Sequence, residues 1–307
     1  MKKIILSILT ASLISSGLYA QQLHTSSLYE LQTLFHNPAM AGNQTSDLIG
    51  ISYRKQWAGI SGAPRTATAF GSADIQKSLI GLSGYMYSDQ TGPTSRNGVQ
   101  LAFAKHLPVD DEGGRISLGL ETRFFQFALD RDKLSSIIND PAIANTTNKT
   151  KFDVGFGFAY NNKNFQFGVS VAQLVQSKLD FYSGNLTTNA EARLYRHYYA
   201  HSLYRINAGG GTVIVPNFLM VYLPQVKRSE VQIGARLERD LFWVGAGYRA
   251  NQSYMLNAGI NINDKFSVGY SFDDYTSPLS TFDGGAGGHE LILKYRFNKK
   301  KLYIAEP

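Results

Sequence analysis

The sequence predicts an all-β protein: an antiparallel transmembrane β-barrel of about fourteen strands, with an N-terminal segment plugging the lumen. Three observations predict it. Apolar and polar residues alternate with a period of two along most of the chain. There are 29 Gly, 18 Tyr and 18 Phe, yet mean hydropathy is slightly negative, as expected when every strand has one apolar and one polar face. After the first residues, no apolar run reaches the ~20 residues that a membrane-spanning helix needs.

The N-terminus reads as a cleaved export signal over 1–20. Lys2 and Lys3 form its basic start, Ile4 to Leu18 its apolar stretch, and Ala20 the small residue before the cut. An uncleaved anchor is disfavoured because the stretch is short and polar Gln21-Gln22 follows without a basic stop. Residues 21–46 are too long for a simple lead-in, and they include an apolar, helix-compatible piece from Leu28 to Phe35. The barrel is expected over 47–297, and a basic periplasmic tail over 298–307.

Within the barrel the alternation is plain. Phe152, Val154, Phe156, Phe158 and Tyr160 share one face, opposite Asp153, Gly155, Gly157 and Ala159. Phe165, Phe167, Val169 and Val171 oppose Gln166, Gly168, Ser170 and Ala172, and Leu291, Leu293, Tyr295 and Phe297 oppose Glu290, Lys294 and Arg296. Soluble sandwiches alternate too, but these strands are long, as a tilted membrane crossing requires. Aromatics at strand ends (Tyr85 and Tyr87, Phe124 and Phe125, Tyr195, Tyr198 and Tyr199) suggest interfacial girdles.

The connections alternate in length. Gln56 to Pro64, Asp89 to Ser95, Leu129 to Thr150, Leu174 to Leu194 and Asp274 to Gly287 read as long loops, and a short connection near Asn251 breaks the pattern. Tight turns such as Asn161-Asn162-Lys163 and Asn263-Asp264 lie between them. Long external loops and short periplasmic turns are the asymmetry of outer-membrane barrels.

The charge is +7, with two of those charges on Lys2 and Lys3. The excess is scattered, apart from Lys299-Lys300-Lys301, so no basic face for nucleic acid is expected. No cysteine occurs, which excludes an acylated lipoprotein anchor and disulfide staples. No catalytic residue is expected: there is no Gly-x-Ser-x-Gly elbow, and His289-Glu290 lacks the second histidine of a zincin helix. His197 and His201, on a strand, stand about 13 Å apart, too far to share a metal. No cofactor or metal site is expected, and the protein reads as a non-enzyme.

Several motifs fall in an order that resembles the PorP/SprF family of type IX secretion system outer-membrane proteins, over almost the whole chain past the signal. Phe35-His36-Asn37-Pro38-Ala39-Met40-Ala41-Gly42 is similar to the family's Asn-Pro-Ala-x-Ala-Gly box. Arg54-Lys55-Gln56-Trp57-Ala58-Gly59-Ile60 with Gly62-Ala63-Pro64 resembles its arginine–glutamine–tryptophan stretch and Gly-Ala-Pro turn. Asp89-Gln90-Thr91-Gly92-Pro93-Thr94-Ser95 resembles the loop after its third strand, and Asp140-Pro141-Ala142, His197-Tyr198-Tyr199, Pro216-Asn217-Phe218 and His289-Glu290-Leu291 follow in family order. Each match alone is weak, and seven in sequence are specific. Arg65 after the Gly-Ala-Pro turn and the length of the tail are small departures.

The resemblance implies an outer-membrane location in a Gram-negative bacterium after Sec export. It implies a role assisting secretion or surface anchoring of a partner such as a large adhesin of the gliding-motility type. The implied partners are the type IX translocon or periplasmic ring, a secreted surface protein and outer-membrane lipid, with no nucleic acid. The alternative is a diffusion channel or a FadL-like transporter of hydrophobic compounds. Asn37, Pro38, Ala39 and Gly42 are the candidate plug, since Pro38 fixes its own φ and the Asn37 amide can bond strand-lining groups; a plain turn into the first strand is the alternative. Arg54, Gln56, Trp57, Gly59, Gly62, Pro64, Gly92, Pro93, Thr94, Asp140 and Pro141 are the candidate lumen and loop residues. Arg54 is expected to point into the lumen or its rim, since a charge is costly on the lipid face, and Trp57 to join an aromatic girdle. Loop structure alone is the other reading of that set.

Overall fold

The computed structural model describes residues 25–43, 47–110, 113–130, 148–178 and 194–297. The expected signal over 1–20, the basic tail over 298–307 and the Asp140-Pro141 pair lie outside the described residues. Fourteen strands follow in order: β1 Leu48–Lys55, β2 Arg65–Ile75, β3 Ile80–Thr91, β4 Thr94–Pro108, β5 Arg115–Leu129, β6 Asn148–Asn161 and β7 Phe165–Ala172. Then come β8 His197–Tyr204, resumed after Arg205 by Ile206–Gly209, β9 Thr212–Leu223, β10 Arg228–Arg239, β11 Phe242–Arg249, β12 Ser253–Ile262, β13 Phe266–Tyr275 and β14 Gly288–Arg296. Each strand pairs antiparallel with its neighbours in sequence, and β1 pairs with β14 from Leu48↔Arg296 to Lys55↔His289. The sheet therefore closes on itself and has no free edge, the condition for strands to cross a hydrocarbon layer.

The alternation becomes two rows per strand. Outward rows are apolar and exposed: Leu120 is 59 %, Leu256 62 % and Val244 56 % accessible, and Ile49, Ile51, Phe156, Phe266 and Leu293 lie with them. Soluble monomers rarely expose contiguous apolar patches beyond a few hundred Å², so a surface apolar all round is matched to lipid. Inward rows are polar or small, as with Ser52 and Arg54 on β1, Gly155 and Gly157 on β6, and Ser271 and Asp273 on β13.

The loops differ from expectation in one place. Asp89–Ser95 is not a long loop, because β3 runs to Thr91, β4 starts at Thr94, and Thr91 pairs with Thr94 across Gly92-Pro93. Gly92 has φ +54, the left-handed region that a glycine enters without a Cβ penalty. The strand ends joined by the other long connections, Lys55 and Arg65, Leu129 and Asn148, Ala172 and His197, and Tyr275 and Gly288, all lie at one end of the barrel. At the other end the longest connection is 109–114.

The girdle expectation also needs correction. Tyr85, Tyr87, Phe125 and Tyr199 lie on inward rows, while Phe124 and Tyr198 face outward. Neighbouring aromatics straddle the two faces of a strand, so clustering along the sequence does not place them on one belt. Inside, the guanidinium of Arg96 stands over the Tyr87 ring at 5.6 Å and that of Arg123 over Tyr85 at 6.0 Å.

Residues 25–43 lie within the strand wall and are nearly all buried. The piece from Leu28 to Phe35 forms two single 3-10 turns, Tyr29–Leu31 and Thr33–Phe35, and a third turn spans Pro38–Met40. The main apolar cluster of the interior joins this segment to the wall: Leu28, Leu34 and Phe35 pack with Leu48, Phe70, Trp243 and Ile292. The Phe35 ring sits 5.3 Å from Phe70, edge-on, and 4.6 Å from Tyr85. On the opposite side Tyr29 packs with Leu219, Val221 and Leu223 of β9, and its hydroxyl donates to Asn217 Oδ1 at 2.6 Å.

Candidate functional site in the barrel interior

The interior site has two ends, and different chemistry holds each one. At the long-loop end, charged residues from several strands converge on Ser26 and Ser27. Arg54 Nη2 lies 2.6 Å from Asp273 Oδ2, and Arg54 Nη1 lies 3.0 Å from Glu290 Oε2. Arg249 Nη1 is 3.3 Å from the same Asp273 oxygen, and its Nε is 3.5 Å from Glu230. Ser27 Oγ accepts from Arg54 at 2.8 Å and Arg249 at 3.0 Å, and donates to Asp273 at 2.8 Å. The Ser27 backbone N–H donates to Glu290 Oε2 at 2.7 Å, Ser26 Oγ donates to the other Glu290 oxygen, and Gln32 Nε2 joins it at 2.9 Å.

Arg54 is 2 % exposed. Two guanidiniums and three carboxylates buried together are tolerated because each charge has opposite charges and hydrogen bonds around it. The inward placement of Arg54 accords with the cost of a charge on the lipid face.

At the turn end the segment sits against inward glycines. Asn37 caps the Pro38–Met40 turn, its Oδ1 accepting from Ala39 N at 2.9 Å. Its Nδ2 donates to Phe158 O at 3.0 Å and lies 3.1 Å from His201 Nε2. A Cβ at Gly119 would stand 2.2 Å from Ala39 N, and one at Gly157 would stand 2.0 Å from Asn37 Oδ1. A Cβ at Gly81 would stand 1.9 Å from Ala41 O. Any side chain there would displace the segment's backbone or its asparagine. Gly42 donates its N–H to Ser72 Oγ at 2.8 Å, and its φ of +63 lies in the left-handed region that glycine enters without a Cβ penalty.

The remaining candidate residues form a knitted surface at the long-loop end. Gln56 lies just past β1, and its N–H donates to Pro64 O at 2.9 Å, closing the 56–64 loop. Gly59 N–H donates to Asp283 Oδ1 at 3.0 Å, and Ala58 N–H to Gly287 O at 2.8 Å. These bonds fasten the first loop to the last. Gly62 O accepts from Gly92 N at 2.8 Å, and Pro93 O accepts from Asp130 N at 2.8 Å. Thr94 Oγ1 donates to Thr91 O, which fixes the hairpin. Trp57 is not in a girdle: at φ +48 its ring lies 6.4 Å from Tyr275, a member of an inward row. A left-handed residue leaving the strand breaks the alternation that would have pointed Trp57 outward.

The site thus unites Asn37, Pro38, Ala39 and Gly42 at one end, draws Arg54 to the other, and leaves Gln56, Gly59, Gly62, Pro64, Gly92, Pro93 and Thr94 on the rim. Sequence reasoning missed Ser26, Ser27, Arg249, Asp273 and Glu290 as one cluster, since they converge only when the sheet closes. It also missed Gly81 and Gly119 as a seat. The available signal was a glycine in the inward row of an alternating strand. His197 and His201 both face inward on β8.

No curated protein matches the chain. Among solved structures, the toluene transporter TbuX of Ralstonia pickettii superposes with a TM-score of 0.51 at 8 % identity, covering 87 % of this chain and 93 % of that one. This likeness extends to the fold alone. The outer membrane protein Omp33 of Acinetobacter baumannii gives 0.46 at 11 % identity, over 83 % of this chain and all of that one. The family described as type IX secretion system membrane protein PorP/SprF matches residues 18–295. With a closed barrel of outward apolar rows and a match running through nearly every strand, the chain belongs to the PorP/SprF family of type IX secretion membrane proteins.

Proposed function

We propose that this barrel is a non-enzymatic partner in type IX export whose lumen is plugged by its own N-terminal segment. On this reading it engages a secreted surface protein, such as a large adhesin of the gliding-motility type, together with translocon or periplasmic ring components. The observation that carries the proposal is that residues 25–43 are buried across the interior and fastened at both ends. A filled interior favours contact through the knitted rim or the wall over passage of solutes. The proposal includes Sec export with cleavage after Ala20, an N-terminal plug over 21–46, a barrel over 47–297 and a periplasmic tail over 298–307, in the outer membrane of a Gram-negative bacterium.

The test has two arms. Deleting the gene should remove one surface adhesin while leaving small-solute uptake unchanged, and pull-down from native membranes should recover type IX components. Altered uptake with all surface proteins intact would instead favour the diffusion-channel reading. Deleting 21–42 should raise single-channel conductance, and unchanged conductance would count against the plug.

A further inference from the structure

We propose that the outer wall over β1–β4 carries a binding site for a phosphorylated, acylated lipid of the outer leaflet. Between Arg65 and Ile75 the outward row of β2 carries only small residues: Ala67, Ala69, Gly71 and Ala73. Gly84 on β3 stands opposite Gly71. Large side chains flank this row on both sides, Ile51 and Leu293 on one and Met86 and Val99 on the other. Two adjoining apolar hollows result, of about 780 and 640 Å³, and they share Ala69 and those four flanking residues. Outward Ala235, Ala246 and Ala258 form a second run of small residues on β10–β12, but the outward residues towards its long-loop end are Val231, Tyr248 and Tyr254, none of them cationic. From residue 67 to 73 the groove runs about 20 Å along a tilted strand, enough for the ~15 Å of hydrocarbon in one leaflet.

The second observation is charge. Lys55 and Arg65 pair directly across β1 and β2 at the long-loop end of the same groove, and both side chains face outward and are exposed. Like charges placed opposite one another on a sheet face repel. Their outward neighbours supply no acid: His289 pairs with Lys55 on β14, and Gln90 pairs with Arg65 on β3, accepting from its guanidinium. Lys55 forms no ion pair among the described residues. A phosphate at the headgroup level answers both cations, and the acyl chain beneath it fills the hollow. A neutral lipid or an apolar partner segment would satisfy the groove and leave the cations opposed. Basic clusters at the membrane surface recognise anionic headgroups in this way.

The experiment is native mass spectrometry of the full mature protein in neutral detergent, titrated with bis-phosphorylated hexa-acyl lipid A, phosphatidylethanolamine or inorganic phosphate. The expected result is one lipid A per chain, neither matched by phosphatidylethanolamine nor displaced by millimolar phosphate. Lys55→Gln with Arg65→Gln should weaken binding roughly 30-fold, at about fivefold for each cation near an anionic lipid. Ala69→Leu should weaken it several-fold, while Ala258→Leu on the outward row of β12 leaves it unchanged. Heat-modifiable gel migration identifies folded variants, and all four positions face outward, away from the interior packing. Equal binding of phosphatidylethanolamine, complete displacement by free phosphate, or equal effects of Ala69→Leu and Ala258→Leu would overturn the proposal.

Discussion

The two ends of the segment over 25–43 are held by opposite means. At the long-loop end, Ser26 and Ser27 are gripped by side chains reaching in from β1, β11, β13 and β14, and Glu230 of β10 backs Arg249. At the turn end, Asn37 to Ala41 lie against strands whose inward rows carry glycine at the closest approaches, Gly81, Gly119 and Gly157, with Ala102, Ala104 and Ala159 beside them. The first contact is electrostatic and depends on a few charged groups. The second is steric and depends on the absence of atoms. The charged end can therefore be released by changing one residue's charge, whereas the glycine end is disrupted most by adding volume.

This contrast can be broken selectively. The chain has no native cysteine, so Leu28→Cys and Met40→Cys, both at buried positions, report each end by thiol labelling. The largest effect is expected from Arg54→Met, which leaves Asp273 and Glu290 short of a cation and should cost about 3–5 kcal/mol. Urea titration of the lipid-embedded barrel reads that loss. Leu28→Cys should then label quickly while Met40→Cys stays protected. Equal exposure of both would show that the segment moves as one body.

Gly119→Val is the reciprocal change. Overpacking against Ala39 should cost about 1–3 kcal/mol and expose Met40→Cys first. Smaller still, Asn37→Ala removes the cap of the Pro38–Met40 turn and should cost about 1 kcal/mol, seen as a lower urea midpoint with unchanged slope. The smallest expected effect is that of Tyr29→Phe. It leaves the ring among Leu219, Val221 and Leu223 but deletes the hydroxyl's bond to Asn217, at about 0.5–1.5 kcal/mol. If Tyr29→Phe outweighed Arg54→Met, the middle of the segment rather than its charged end would be the chief anchor.

Much of this was legible beforehand, for reasons that differ by residue. The face of Arg54 followed from its parity on β1, because a strand has a period of two and lipid excludes charge. Gly155 and Gly157 were placed opposite the phenylalanines of β6 by the same rule. The rule failed where the backbone left the strand. Trp57 turned inward through a left-handed residue, and Gly92-Pro93 closed a hairpin inside what read as a loop. It also failed for Tyr85 and Tyr87, because bulky aromatics suit a lumen as well as a lipid belt when arginines stand beside them.

The sequence by itself determined the class of fold, the faces of most strands and the family, because those depend on patterns local to a few residues. The tertiary structure alone decided that Arg54, Arg249, Asp273 and Glu290 meet at Ser27, and that Gly81, Gly119 and Gly157 meet the Asn37 turn. Closure brings β14 beside β1 and sets residues more than two hundred positions apart at hydrogen-bond distance. No local pattern encodes that pairing, because it exists only once the last strand has joined the first.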